Sequence, residues 1–92
     1  MSTLAIADER IRQVSFTAEF LTVDLMDGRR ISTPLAWYPR LVAASPQQLE
    51  DWEIVGGGQG VHWEQLDEDL SVEGMLRGCP AAGYQPKAQG DA

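Results

Sequence analysis

Apolar and polar residues alternate along "RQVSFTAEFLTVDLMDGRRISTPL" (residues 12–35) with the two-residue period of half-buried strands, and the segment predicts three of them. In the second strand Leu21, Val23 and Leu25 alternate with Thr22 and Asp24, so one face is apolar. Asp27-Gly28 then predicts a two-residue type I′ hairpin, whose central positions both take positive φ. Ile31, Thr33 and Leu35 continue the alternation on the return strand. Pro34 has no N–H for a ladder, so that strand should end there or lie at an edge.

The period changes at "AWYPRLVAASPQQLEDW" (residues 36–52), which predicts two short helices with a break near Ala44-Ser45. Pro39 suits the first turn of one, where a missing N–H has no intrahelical partner to lose. "SPQQ" (residues 45–48) starts the other: an N-cap serine, proline at N1, and glutamine at N3 to complete a capping box. Leu41, Val42, Leu49 and Trp52 are expected to face the core. In "WEIVGGGQGVHW" (residues 52–63) two short apolar runs flank Gly56, Gly57, Gly58 and Gly60. These runs are either a hairpin with a flexible tip or two strands that do not pair with each other. No Lys-Ser/Thr and no helix start follow the glycines, so a phosphate-binding loop is not indicated.

A last helix is expected over Val72–Arg77, with Ser71 as N-cap and Val72, Met75 and Leu76 in one apolar stripe. Gly78 ends it and Pro80 prevents its continuation. On this reading Asp67, Glu68 and Asp69 lead into the helix start, where carboxylates meet the positive end of its dipole. Leu66 and Leu70 pack inward while the acids point out. The whole is a small α+β fold. Residues 1–10 are expected to be a loose lead-in, 11–78 a single domain, and 79–92 a mobile tail.

Charge adds what hydropathy does not. The net charge is −7 in 92 residues, and it is unevenly placed. Residues 1–40 hold five acidic and five basic side chains; between Arg40 and Arg77 there are eight acidic residues and no basic one. That stretch repels nucleic acid, whose binding needs lysine and arginine. It suits a basic protein partner, whose approach it would steer. No apolar run nears the ~20 residues of a membrane span. The N-terminus lacks the basic and apolar regions of a secretion signal, so a cytoplasmic protein is expected. One cysteine, Cys79, excludes an internal disulfide framework and a multi-cysteine zinc cage.

Candidate chemistry is sparse. His62 with Asp67 and Asp69 is a conceivable metal set, but it lacks a second histidine or a calcium-loop pattern, so no metal or cofactor is expected. Glu64, Asp67, Glu68 and Asp69 include no carboxylate pair that stands out for acid–base work. Cys79 adjoins Pro80 in a Pro/Gly/Ala-rich tail, a poor place to hold a nucleophile, so an enzyme is not expected. Trp37, Trp52 and Trp63 supply core bulk, and an exposed one would make an interface anchor.

Several motifs occur together and in order: Asp27-Gly28-Arg29, Pro34-Leu35, Trp37-Tyr38-Pro39-Arg40-Leu41, Trp52-Glu53-Ile54, His62-Trp63, Asp67-Glu68-Asp69 and Leu76-Arg77-Gly78. Over about Ile11 to Gly78 the chain resembles the bacterial family catalogued as domain of unknown function 2442. The resemblance implies a small α+β fold, a mainly antiparallel sheet with short helices, and no established catalysis. In genomes such domains often sit beside a second small protein, which implies an antitoxin-like half of a two-gene pair. Some relatives carry a fused helix-turn-helix. The tail "CPAAGYQPKAQGDA" is too short for one, so direct DNA binding is not expected.

The function expected is thus a non-enzymatic protein-interaction module that binds a basic partner. Its candidate contacts are Glu64, Asp67, Glu68 and Asp69, with Trp37 and Tyr38 as the aromatic positions. The rivals are a phage-type inhibitor that mimics nucleic acid with its carboxylates, and a small metal-binding protein or enzyme built on His62 with Asp67 and Asp69.

Overall fold

A computed structural model of the chain describes residues 7–81, 83 and 84. Two antiparallel three-stranded sheets, each a meander of sequence neighbours, enclose one core with three short helices. The first sheet is β1 (Ile11–Phe16), β2 (Phe20–Leu25) and β3 (Arg30–Pro34). A 3-10 turn, Leu35–Trp37, leads into α1 (Pro39–Val42) and α2 (Pro46–Leu49). The second sheet is β4 (Trp52–Val55), β5 (Gly60–Trp63) and β6 (Glu68–Ser71), and α3 (Val72–Arg77) follows directly.

The alternation read in β2 sets its register. Leu21, Val23 and Leu25 are all fully buried, and β3 is an edge strand that ends at Pro34. The turn after β2 differs from the type I′ expectation. Leu25 N–H bonds Arg29 O (2.9 Å) and Gly28 N–H bonds Leu25 O (3.0 Å), enclosing a three-residue loop. Only Gly28 takes positive φ there (+95°), as in a turn closed by a left-handed glycine. Asp27 stays outside the left-handed region and uses its carboxylate instead. It accepts from the backbone N–H of Asp8 (2.9 Å) and of Arg29 (3.1 Å), and pairs with the Arg29 guanidinium. The described part of the lead-in, residues 7–10, is therefore hydrogen-bonded to this hairpin; Met26 N–H also bonds Arg10 O.

The helical segment has the expected break and caps. Ser45 Oγ accepts from Gln48 N–H (3.2 Å) and the Gln48 side chain accepts from Ser45 N–H (2.9 Å), a complete capping box. Leu41 is fully buried, while Leu49 and Trp52 pack partly buried against the core. Val42 was expected to face inward, but it is 56% exposed. A four-residue helix presents one residue per face, and here that inward residue is Leu41. The glycine-rich stretch resolves as a hairpin, with Trp52 opposite Trp63 and Val55 opposite Gly60.

The core joins both sheets. Trp63 meets Phe16 edge to face (6.2 Å between ring centroids), and its indole N–H bonds Leu49 O (3.0 Å). Val72 and Met75 of α3 fill the core from the far side, with Ser71 capping and Gly78 left-handed (φ +78°) as expected. Beyond α3, Cys79 N–H bonds Gly74 O and Ala81 N–H bonds Trp37 O. The tail expectation otherwise falls mainly on residues 82 and 85–92, outside the described residues, as does the lead-in expectation for residues 1–6. Among the described residues no helix is long and apolar enough to cross a membrane.

Candidate functional site

Strand alternation divides the second sheet into two faces. Trp52, Trp63 and Glu68 share one cross-strand row, and Ile54, Val61 and Leu70 the next; Trp63 and Val61 are fully buried, so these rows face the core. The intervening row, Glu53–His62–Asp69, faces out. Glu64 follows His62 by two residues and returns to the same side. Register and alternation thus gather three carboxylates, from Glu53, Glu64 and Asp69, around one imidazole.

His62 Nδ1 lies 2.6 Å from Asp69 Oδ1, and Nε2 lies 3.0 Å from Glu64 Oε1. The His62 side chain is 21% exposed, against 82% for Glu64 and 72% for Asp69. Each ring nitrogen thus has a carboxylate partner, an arrangement that favours the protonated ring. Its pKa is raised, first by the Asp69 hydrogen bond and then by that of Glu64. Donor atoms of Glu53, His62 and Glu64 all lie within 4.8 Å of one another.

The sequence-derived set divides here. Glu64 and Asp69 meet at His62. Asp67 does not; it takes positive φ (+53°) in the β5–β6 turn, where Arg40 Nη1 donates to its carbonyl and lies 3.9 Å from its carboxylate. Glu68 was expected to point out before a helix. Instead it belongs to β6, opposite Trp63, and is buried at 8% exposure. Burial raises its pKa, and the Arg40 charge partly opposes this. Tyr38 was an exposed candidate contact, yet it is fully buried; its hydroxyl donates to Thr33 Oγ1 (3.0 Å). Trp37 is half-buried and edge-on to Tyr38, 6.4 Å between ring centroids. Glu53 was missed as a site residue. The signal was present in "WEIV", where it alternates with Trp52 and Ile54.

The charge pattern also has a structural form. In the first sheet and its lead-in, Arg10 pairs with Asp8, Arg29 with Asp27 and Glu9, and Arg30 with Asp24. In the second half Arg40 answers Asp67 and Arg77 answers Glu73. Glu50, Asp51, Glu53, Glu64 and Asp69 are all exposed, and none has a lysine or arginine partner among the described residues.

A family model described as "Protein of unknown function (DUF2442)" matches residues 11–81. A crystal structure of a protein of unknown function from Rhodospirillum rubrum ATCC 11170 is similar, with 33% identity and a TM-score of 0.70 over 84% of this chain and 95% of that one. A solution NMR structure of an uncharacterized protein from Chromobacterium violaceum is similar at 28% identity and a TM-score of 0.67, over 80% of this chain and 70% of that one. No curated protein matches the chain.

Proposed function

We propose a role for this chain from one premise: it belongs to the DUF2442 family, whose function is unknown. The role is that of a non-enzymatic, cytoplasmic protein-interaction module, the antitoxin-like member of a two-gene bacterial pair, which binds a basic protein partner. One observation carries it. Glu50, Asp51, Glu53, Glu64 and Asp69 lie exposed on the second half of the fold without arginine or lysine partners among the described residues, whereas the arginine pairs of the first half neutralise carboxylates there. Glu64 and Asp69 share the His62 ring, but Glu50, Asp51 and Glu53 have no cationic partner among the described residues. Like charges so placed raise the folded state's own repulsion and speed the encounter with a surface of opposite sign.

The test is the association rate with the product of the neighbouring gene, measured against ionic strength for the wild type and for Glu50→Gln with Asp51→Asn. The expected result is a rate that falls at least about tenfold from low to high salt, and a slower rate for the double variant at low salt. A rate indifferent to both would reduce this face to a solvated surface. Release of the protein's own target by added DNA, with no binding to the neighbour, would favour the nucleic-acid mimic instead.

A further inference from the structure

We propose that Glu53, His62 and Glu64 form a site for one divalent transition-metal ion of borderline hardness, with zinc as the reference case, and that Asp69 is its positioning residue. The donors are an imidazole nitrogen and two carboxylates, all within 4.8 Å of one another. Three such donors around one tetrahedral ion at ~2.0–2.2 Å stand about 3.3–3.6 Å apart, so side-chain rotations of about an ångström close the set. Glu53 and Glu64 are exposed and free to make them.

The backbone places the donors. Glu53 and His62 are opposed across β4 and β5, where facing Cβ atoms lie ~4.5–5.5 Å apart. Glu64 reaches Nε2 from two residues along. The two ring nitrogens are already assigned different tasks: Asp69 holds Nδ1 from β6, and Nε2 faces Glu64. A metal-bound histidine commonly gives its other N–H to a carboxylate, which fixes the tautomer and raises the basicity of the ligating nitrogen. Without an ion, Nε2 is within hydrogen-bond distance of Glu64. On binding, the ion takes the place of that contact, and a proton held there leaves to solvent.

The donor set also selects the ion. There is no thiolate to hold a soft ion, and an imidazole is a poor ligand for calcium or magnesium. One nitrogen with two carboxylate oxygens suits zinc, and equally iron(II), cobalt or nickel. Two carboxylates and a neutral imidazole balance a divalent charge. The site opens to solvent on the outer face of the second sheet and leaves a fourth position for water. This proposal stands apart from the partner reading, which needs a negative face and not donors gathered at His62.

The experiment is calorimetric titration of chelator-treated full chain with Zn²⁺ alone, with nitrogen-15 NMR of the His62 ring and circular dichroism to confirm that each variant is folded. The expected result is one ion per chain, with a change in the His62 Nε2 resonance. Glu53→Gln and Glu64→Gln should each weaken binding at least about tenfold, and Asp69→Asn by about 10–100-fold. Glu73→Gln, remote on α3, should leave it unchanged. Absence of saturable binding would overturn the proposal. So would binding that survives both Glu53→Gln and Glu64→Gln, since the ion would then sit on other acids.

Discussion

Replacing Leu41 with alanine removes a fully buried side chain, whereas the same change at the next residue, Val42, trims one that is 56% exposed. The two positions share a helix, so the pair isolates facing from local propensity. At Leu41 three methylene equivalents are lost, ~2.4 kcal/mol of transfer free energy at about 0.8 each. The cavity left behind raises the cost to about 2.7–5 kcal/mol. At Val42 two equivalents are lost with 56% of the residue already in water, leaving roughly 0.7 kcal/mol. Alanine's better helix propensity returns about 0.5 kcal/mol, so Val42→Ala should be nearly neutral. A domain of 92 residues has a total stability of roughly 5–14 kcal/mol, so Leu41→Ala is a large fraction of it. Urea unfolding followed by tryptophan fluorescence reads both. With a slope of about 1–1.5 kcal/mol per molar, the Leu41→Ala midpoint should drop by about 2–5 M and that of Val42→Ala by less than about 0.5 M. Equal costs, or a Val42→Ala cost above about 1 kcal/mol, would refute the facing of α1.

Gly28→Ala should lower stability by about 1–2 kcal/mol through backbone strain alone, because φ is +95° and a Cβ there meets nothing within 4 Å; an unchanged urea midpoint would contradict the loop geometry. The pKa of Asp27 is far below the ordinary carboxylate range, first through the Arg29 side-chain hydrogen bond, so its contribution is present at neutral pH and lost as pH falls below that range. Asp27→Asn should therefore be destabilised at pH 7 and converge with the wild type in strong acid, read as unfolding midpoints against pH. Glu68 has the opposite sign: burial raises its folded-state pKa, so the wild type loses stability as pH rises from the unfolded value through the folded one. Glu68→Gln lacks that dependence and should gain on the wild type as pH rises above the ordinary carboxylate range, and parallel pH profiles would argue against a buried carboxyl.

Features written in adjacent residues were legible in the sequence. Ser45 with Gln48, Ser71 with Gly78, and the Leu21–Val23–Leu25 row each depend on neighbours within a few positions, and each forms as read. What depends on pairing was less so. Glu68 looks like a solvated acid until β6 is registered against β5, which puts it opposite Trp63 on the core side. Glu53 joins His62 through the same kind of remote register. Tyr38 carries a polar group and sits in a helical segment, and only the fold shows that Thr33 accepts from it beneath the surface. The periodicity around Val42 was too short to define a face. Asp27-Gly28 signalled a turn correctly, but the loop length was decided by the carboxylate's three-way bonding to Asp8 and Arg29.

Among the described residues every strand pairs only with its immediate predecessor or successor along the chain, and the loops joining paired strands are a few residues long. Closing such loops takes little chain entropy, since the penalty grows only slowly with length and starts here from its low end. Hairpins of this kind form within ~1–10 microseconds, long before a distant crossover could be searched. The kinetic bottleneck then moves to the meeting of two preformed halves, where Phe16 must find Trp63 and α3 must close beneath them. Strand pairing confined to sequence neighbours favours fast folding for a β-rich chain, with little time spent as exposed, unpaired strand edges.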